Sequence, residues 1–218
     1  MNAAPVSRRA RPAKVPLSRD LVIETGLRIL DTDGSTALTM RRVAKELDTG
    51  AASLYVYVAN RDDLLTGMLD HVLSQVPVPT EGDWRARVTR LVETAIEALG
   101  RHDGLALVAF GRYPTTEHAL TLIEELVTLL REGGLDPSTA TWAADLIYLH
   151  IAAEAAENSG APDSAHRADI SRRSAEPPIH RFPIPLDRQT HRSDGDARAR
   201  WALRALLNGI VATPVDAR

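Results

Sequence analysis

Between Leu38 and Leu65 the chain reads LTMRRVAKELDTGAASLYVYVANRDDLL, and no other stretch restricts the fold so closely. Thr39 is a good N-cap residue, and Met40, Val43, Ala44 and Leu47 follow at the spacing of one helical face. Asp48, Thr49 and Gly50 break that pattern. A second helix is expected from about Gly50 to Tyr57, with small residues first and aromatic residues last. Asn60 then caps a third, with Asp62 and Asp63 in its first turn, where carboxylates suit the helix dipole. Two short helices joined by a three- or four-residue turn make a helix-turn-helix, whose second helix is of a size to enter a DNA major groove.

The residue types fit that use. Ala51, Ala52 and Ser53 have almost no side chain, so the backbone near Gly50 can approach base edges and thymine methyls. Arg41 is the expected base reader, because arginine bidentate to guanine is the commonest specific contact. Thr39, Tyr55, Tyr57 and Arg61 are expected to anchor phosphates, with Met40 and Val56 on the same DNA-facing surface. Leu54 and Val58 lie four apart and should face the core. A solvated helical hairpin in any all-α domain would show the same periodicity.

These residues resemble the DNA-binding domain of TetR-family (tetracycline-repressor-like) transcriptional regulators. LTMRRVAKEL, DTG, AASLYVYV and ANRDDLL stand in the order of that family's pattern, and the similarity runs from about Leu17 to Leu73. Further on, RHDGLALVAFGRYPTTEHALTLIEELVTLLREGGLDP looks like the family's helical ligand domain. One departure is Asp48, where the turn usually has glycine; aspartate tolerates a left-handed backbone better than most residues. The resemblance implies an all-α fold, with a three-helix DNA-binding domain followed by a larger helical ligand-binding and dimerisation domain. It further implies a homodimer paired through its last helices, a palindromic double-stranded operator, and a small-molecule effector that swings the fourth helix. The function it implies is a ligand-responsive repressor.

Charge is distributed to match. The net charge is −3, but residues 1–61 hold ten Lys/Arg against six Asp/Glu, leaving the remainder at −7. The segment 1–16 is basic and Pro/Ala-rich, and Arg8, Arg9, Arg11 and Lys14 make it a flexible arm that suits phosphates or a minor groove. It lacks the apolar core of a secretory signal, and no apolar run approaches the roughly 18 residues that span a bilayer. No membrane partner and a cytoplasmic location are therefore expected. The chain has no cysteine, which excludes thiol catalysis, disulfides and cysteine-ligated zinc.

The domains are expected at 17–75 and 83–213, joined by the Pro/Gly linker VPVPTEGD. The first domain opens at Ser18, an N-cap with Leu17 and Val22 at staple positions, and its first helix ends at Gly34. Helix 4 runs from Asn60 to about Ser74 and is the natural lever between the halves. In the body, helices are expected at Asp83–Gly100, Gly104–Phe110, Thr116–Arg131, Pro137 to about Glu157, and Asp196–Val211. Leu120, Ile123, Leu126, Val127 and Leu130 should face inward on the third of these, and Trp201, Leu203, Leu206, Leu207 and Ile210 on the last. Residues 159–194 read as a flexible loop with a possible short helix at Ala165–Arg173.

Polar or aromatic residues in otherwise apolar helices are the ligand-pocket set: His118, Trp142, Tyr148, His150 and Glu154, with His102, Phe110 and Tyr113 from neighbouring turns. His150, Glu154 and Glu157 share a helical face, yet one helix supplies too few ligands, so neither a metal nor a cofactor is expected. Two other readings stand beside the repressor. One is a constitutive DNA-binding regulator without effector. The other is an all-helical small-molecule enzyme, which has no paired-carboxylate motif, phosphate loop or Ser–His–Asp order to support it.

Overall fold

The computed structural model describes residues 16–102, 104–111, 114–159 and 195–215, and among them it contains nine α-helices and no strand. The helices are α1 (Arg19–Asp33), α2 (Met40–Glu46), α3 (Ala51–Leu54), α4 (Arg61–Leu73), α5 (Trp84–Gly100), α6 (Leu105–Gly111), α7 (Glu117–Glu132), α8 (Pro137–Asn158) and α9 (Gly195–Ala212). The N-terminal arm, residue Tyr113, the Phe110 side chain and the short helix expected at Ala165–Arg173 lie outside the described residues, as does all of the 159–194 loop except Ser159.

Local chemistry sets most helix starts. Ser18, Thr39, Asn60 and Asp83 each accept a hydrogen bond from the backbone N–H three residues on, at 3.1, 3.1, 2.8 and 2.8 Å. Asp136 accepts from Ser138 and Thr139, and Pro137 follows it at the first helical position. The α2–α3 turn forms as expected around Asp48, which sits in the left-handed region at φ 48°. The second helix is shorter than expected. α3 is a single turn, Ala51–Leu54, and the chain continues through Tyr55–Tyr57 as turns closed by Tyr57 and Val58 N–H on the Leu54 carbonyl.

α1 and α4 pack closely because each has a glycine at the crossing. A Cβ on Gly26 would lie 3.0 Å from Met68 Sδ, and one on Gly67 would lie 3.0 Å from Ile23 Cδ1. Leu54, Leu64 and Met68 are fully buried between these helices and the helix-turn-helix. α5, α7 and α8 form the body's main layer, with α6 laid across α8 and α4. α4 touches α5, α6 and α7 and so joins head to body.

The inward faces need two corrections. On α7 the buried residues are Ala119, Leu122, Leu126, Leu129 and Leu130, while Leu120 is 43% exposed. The true face is rotated toward Leu122 and Leu129, since α7 packs against α4, α5 and α8 and buries a wider arc than one stripe. On α9, Leu203, Leu207 and Ile210 face the core, but Trp201 is 65% exposed and points away.

Candidate functional site

The DNA-facing surface is built from α2, α3 and the turn after them. Leu54 and Val58 anchor it in the core, at 0% and 1% exposure, which leaves Ala52, Ser53, Tyr55 and Val56 outward. Val56 is 79% and Tyr55 54% exposed. Ala51 and Tyr57 are half-buried, and Gly50 has open space where a Cβ would stand. Thr39 caps α2 with its hydroxyl, so its side chain already has one partner.

The cations divide into two groups. Arg42 reaches both Asp33, at 2.9 Å, and Glu46; Arg28 also pairs with Glu46, at 2.8 Å. Arg28, then Arg42, hold the Glu46 carboxyl below its ordinary pKa. Arg61 donates from Nε to the Leu38 carbonyl at 2.8 Å and from Nη2 to the Ser35 carbonyl at 3.1 Å. It therefore pins the α1–α2 connection to the start of α4, a positioning use that its place after the aromatic run did not signal. Arg41 and Lys45, by contrast, are exposed and pair with no described residue. Residues 16–61 hold six Lys/Arg and six Asp/Glu, so the positive excess of the head comes entirely from the arm.

Two residues expected in a ligand pocket instead bridge head and body. His102 Nδ1 lies 2.7 Å from Asp31 Oδ1 of α1. His118 meets Asp70 of α4 twice, through its backbone N–H at 2.8 Å and its Nδ1 at 3.0 Å. The Thr116 side chain makes no cap at the start of α7, so Asp70 caps that helix from α4. Burial works to raise the Asp70 pKa, but the hydrogen bonds led by the His118 ring hold it below the ordinary carboxylate value.

The remaining pocket residues scatter. Trp142 is 67% exposed on the outer face of α8, where Leu146 and Leu149 accompany it. Tyr148 is buried in the body core, and burial pushes its hydroxyl pKa up to about 12. Glu154 is buried but pairs at 3.2 Å with Arg198 of α9, which also takes Glu157 at 2.6 Å. The acidic face of α8 thus serves a helix contact, and no described cluster of three or more His, Cys, Asp or Glu could hold a metal. His150 lines a cavity of about 570 Å³ between α5, α8 and α9.

A family model described as the tetracyclin repressor-like C-terminal domain matches residues 76–213. The chain belongs to the tetracycline-repressor-like family. The HTH-type transcriptional repressor DrrR1 of Streptomyces coeruleorubidus is 37% identical over 134 residues, which cover 60% of this chain and 50% of that protein. The chain spans about half the length of the curated relatives it matches first. Among solved structures, apo ActR from Streptomyces coelicolor superposes with a TM-score of 0.75 at 34% identity, covering 91% of this chain and 98% of that one. ActR in complex with actinorhodin gives a TM-score of 0.73 at 32% identity, covering 93% and 99%.

Within this tetracycline-repressor-like chain, sequence reading missed the partners that cross between head and body. A histidine at a helix start carries no sign of which carboxylate will face it. Asp31 and Asp70 lie 71 and 48 positions from theirs.

Proposed function

We propose that this protein is a ligand-responsive transcriptional repressor that binds a palindromic operator as a homodimer and leaves it when a small molecule enters the helical body. The observation that carries this reading is the surface presenting Arg41, which pairs with no described residue, together with the small side chains of Ala51, Ala52 and Ser53, on a body that matches the family. Arg41 reads a base, Lys45, Tyr55 and Tyr57 meet phosphates, and Thr39, Met40, Gly50 and Val56 complete the contact surface. Arg61 supports that surface from behind. Support for ligand control comes from ActR, whose structure contains actinorhodin in one complex. DrrR1 supports repression. In this reading the protein is a DNA-binding regulator rather than an enzyme and works in the cytoplasm with its DNA. Among the described residues no helix is long and apolar enough to cross a membrane.

The test is selection of bound sequences from random DNA by the purified protein at stated salt, since affinity without salt is uninterpretable. The expected result is one palindromic site, from which candidate small molecules then release the protein. A palindrome that no compound releases favours a constitutive regulator. Recovery of nothing above non-specific binding, repeated after denaturing and refolding to strip any bound ligand, overturns the reading.

A further inference from the structure

α5 and α9 leave a trough between them. Its two ends are cavities of about 680 and 570 Å³ that share Glu93 and Arg200. Each is in the range that holds an organic ligand. The floor is apolar: Ile96 of α5 is 9% exposed, and Leu203 and Leu207 of α9 are 3% exposed. The walls are cationic. Arg90, Arg200 and Arg204 line the trough, are exposed, and pair with no described residue. Other arginines there are already engaged, Arg85 with Asn208 at 3.1 Å and Arg101 with Glu97. The lining holds three carboxylates, Asp83, Glu93 and Glu97, against five guanidiniums, so positive charge remains in excess over an apolar floor.

The inner end holds a second signal. His150 lines it, and its Nε2 is sealed from solvent with no hydrogen-bond partner. Buried polar atoms are usually paired, so one left over beside a cavity marks unmet hydrogen-bonding capacity. Burial also pushes the His150 pKa down, which keeps the ring neutral.

We infer that this trough binds an amphipathic organic anion, its apolar body on Ile96 and Leu203 and its acidic group on Arg200 with Arg90 or Arg204. The inference rests on the reading of the chain as effector-controlled and assigns the effector's chemical class. The ring of His150 borders the buried end of the ligand, and a ligand that displaces the contacts sealing Nε2 meets its unused hydrogen-bonding capacity. Arginine suits the acidic end, since charge-assisted contacts to carboxylate or sulfonate are among the stronger hydrogen bonds. The trough also has a route to the DNA. α5 packs directly on α4, so a ligand that shifts α5 acts on the helix that carries the head.

The test uses the full chain and two dyes of similar shape, anilinonaphthalene sulfonate and the uncharged phenylnaphthylamine, followed by fluorescence. The expected result is one saturable site per chain. Arg200→Gln, at an exposed position, weakens the sulfonate by about tenfold or more and leaves the neutral dye unchanged. Ala199→Trp, at a half-buried rim position, fills the trough and removes both. Thermal unfolding of each variant checks the fold. Sulfonate binding that neither substitution alters, or equal losses for the two dyes in Arg200→Gln, overturns the site. The operator complex separates this from the effector reading. Release by the sulfonate in the parent protein but not in Ala199→Trp supports both. Arg200-dependent binding without release upholds the anion site and refutes its role as effector site. Release that persists in Ala199→Trp overturns the trough as the controlling site.

Discussion

Arg41 and Arg61 are the same side chain in opposite uses. Arg41 pairs with no described residue, whereas Arg61 holds the Leu38 and Ser35 carbonyls. Arg41→Ala is therefore expected to leave thermal stability unchanged and to cost about 1–3 kcal/mol of operator binding, with specificity relaxed at one base. Arg61→Ala is expected to lower stability by about 1–2 kcal/mol, since two hydrogen bonds that hold the start of α2 are lost, and to weaken operator and random DNA alike. Unfolding curves and competition against scrambled DNA check both; an operator-specific loss in Arg61→Ala would reverse the assignment. His150 carries a pH signature. Its pKa is lowered in the fold by burial, then affected by Glu154 and Arg198, against 6.5 unperturbed. Below 6.5 the unfolded chain takes up a proton that the folded chain refuses, so stability falls as pH drops through that window. His150→Leu is expected to flatten this part of the stability profile between pH 7 and 5, as measured by urea unfolding. Neither fact was legible in the sequence. Helical periodicity reports which way a side chain points, but the partner of Arg61 lies 23 residues back and the burial of His150 depends on α9.

Helices were far more legible than partners, for a local reason. Their starts are written in single residues, Ser18, Thr39, Asn60, Asp83 and Asp136, whose side chains bond backbone N–H groups two or three positions on. The start of α7 lacks that local bond. Thr116 occupies the position without capping, and Asp70 of α4 supplies the cap from another helix. Such a contact makes the N-terminus of α7 sensitive to where α4 stands. A shift of α4 by a fraction of a turn breaks two hydrogen bonds at once, so the pair Asp70–His118 favours one position of the lever. Asp70→Ala is expected to lose about 1–2 kcal/mol of stability, the usual cost of a lost cap. It is also expected to change the effector concentration that releases half of the operator, because the two positions of α4 no longer differ by this contact. Titrating effector into operator complexes of both proteins checks it; an unchanged midpoint would show that α4 is held by its apolar contacts alone. The sign of the pH effect follows from the lowered Asp70 pKa. This stabilisation is complete above the ordinary carboxylate value of 3.8 and is lost as pH falls through the lower folded value.

Two faces of the body are apolar without a neighbour among the described residues. Trp142, Leu146 and Leu149 follow one another at helical spacing on α8 and are 67%, 45% and 42% exposed, while Trp201 and Val211 of α9 are 65% and 44% exposed. A tryptophan buries on the order of 150–250 Å² when covered. Two per protomer therefore supply several hundred Å² in a two-fold pairing, a large part of the roughly 800 Å² per partner that a stable interface needs. A second copy suits the patch because a two-fold axis lets one surface cover itself, and it would also set two α3 elements on one duplex. The expected outcome for Trp142→Glu with Trp201→Glu is a folded monomer, because both positions lie outside the core that holds Leu203, Leu207 and Ile147. Circular dichroism should remain helical while sedimentation shows one chain. Operator affinity should fall about a hundredfold or more, since two half-sites no longer bind as one linked unit. Affinity for an isolated half-site should not change, because Arg41 and the α3 surface are untouched. A parent protein that sediments as a monomer at micromolar concentration, or a double variant that stays dimeric, would move the interface elsewhere and leave the two tryptophans without a partner.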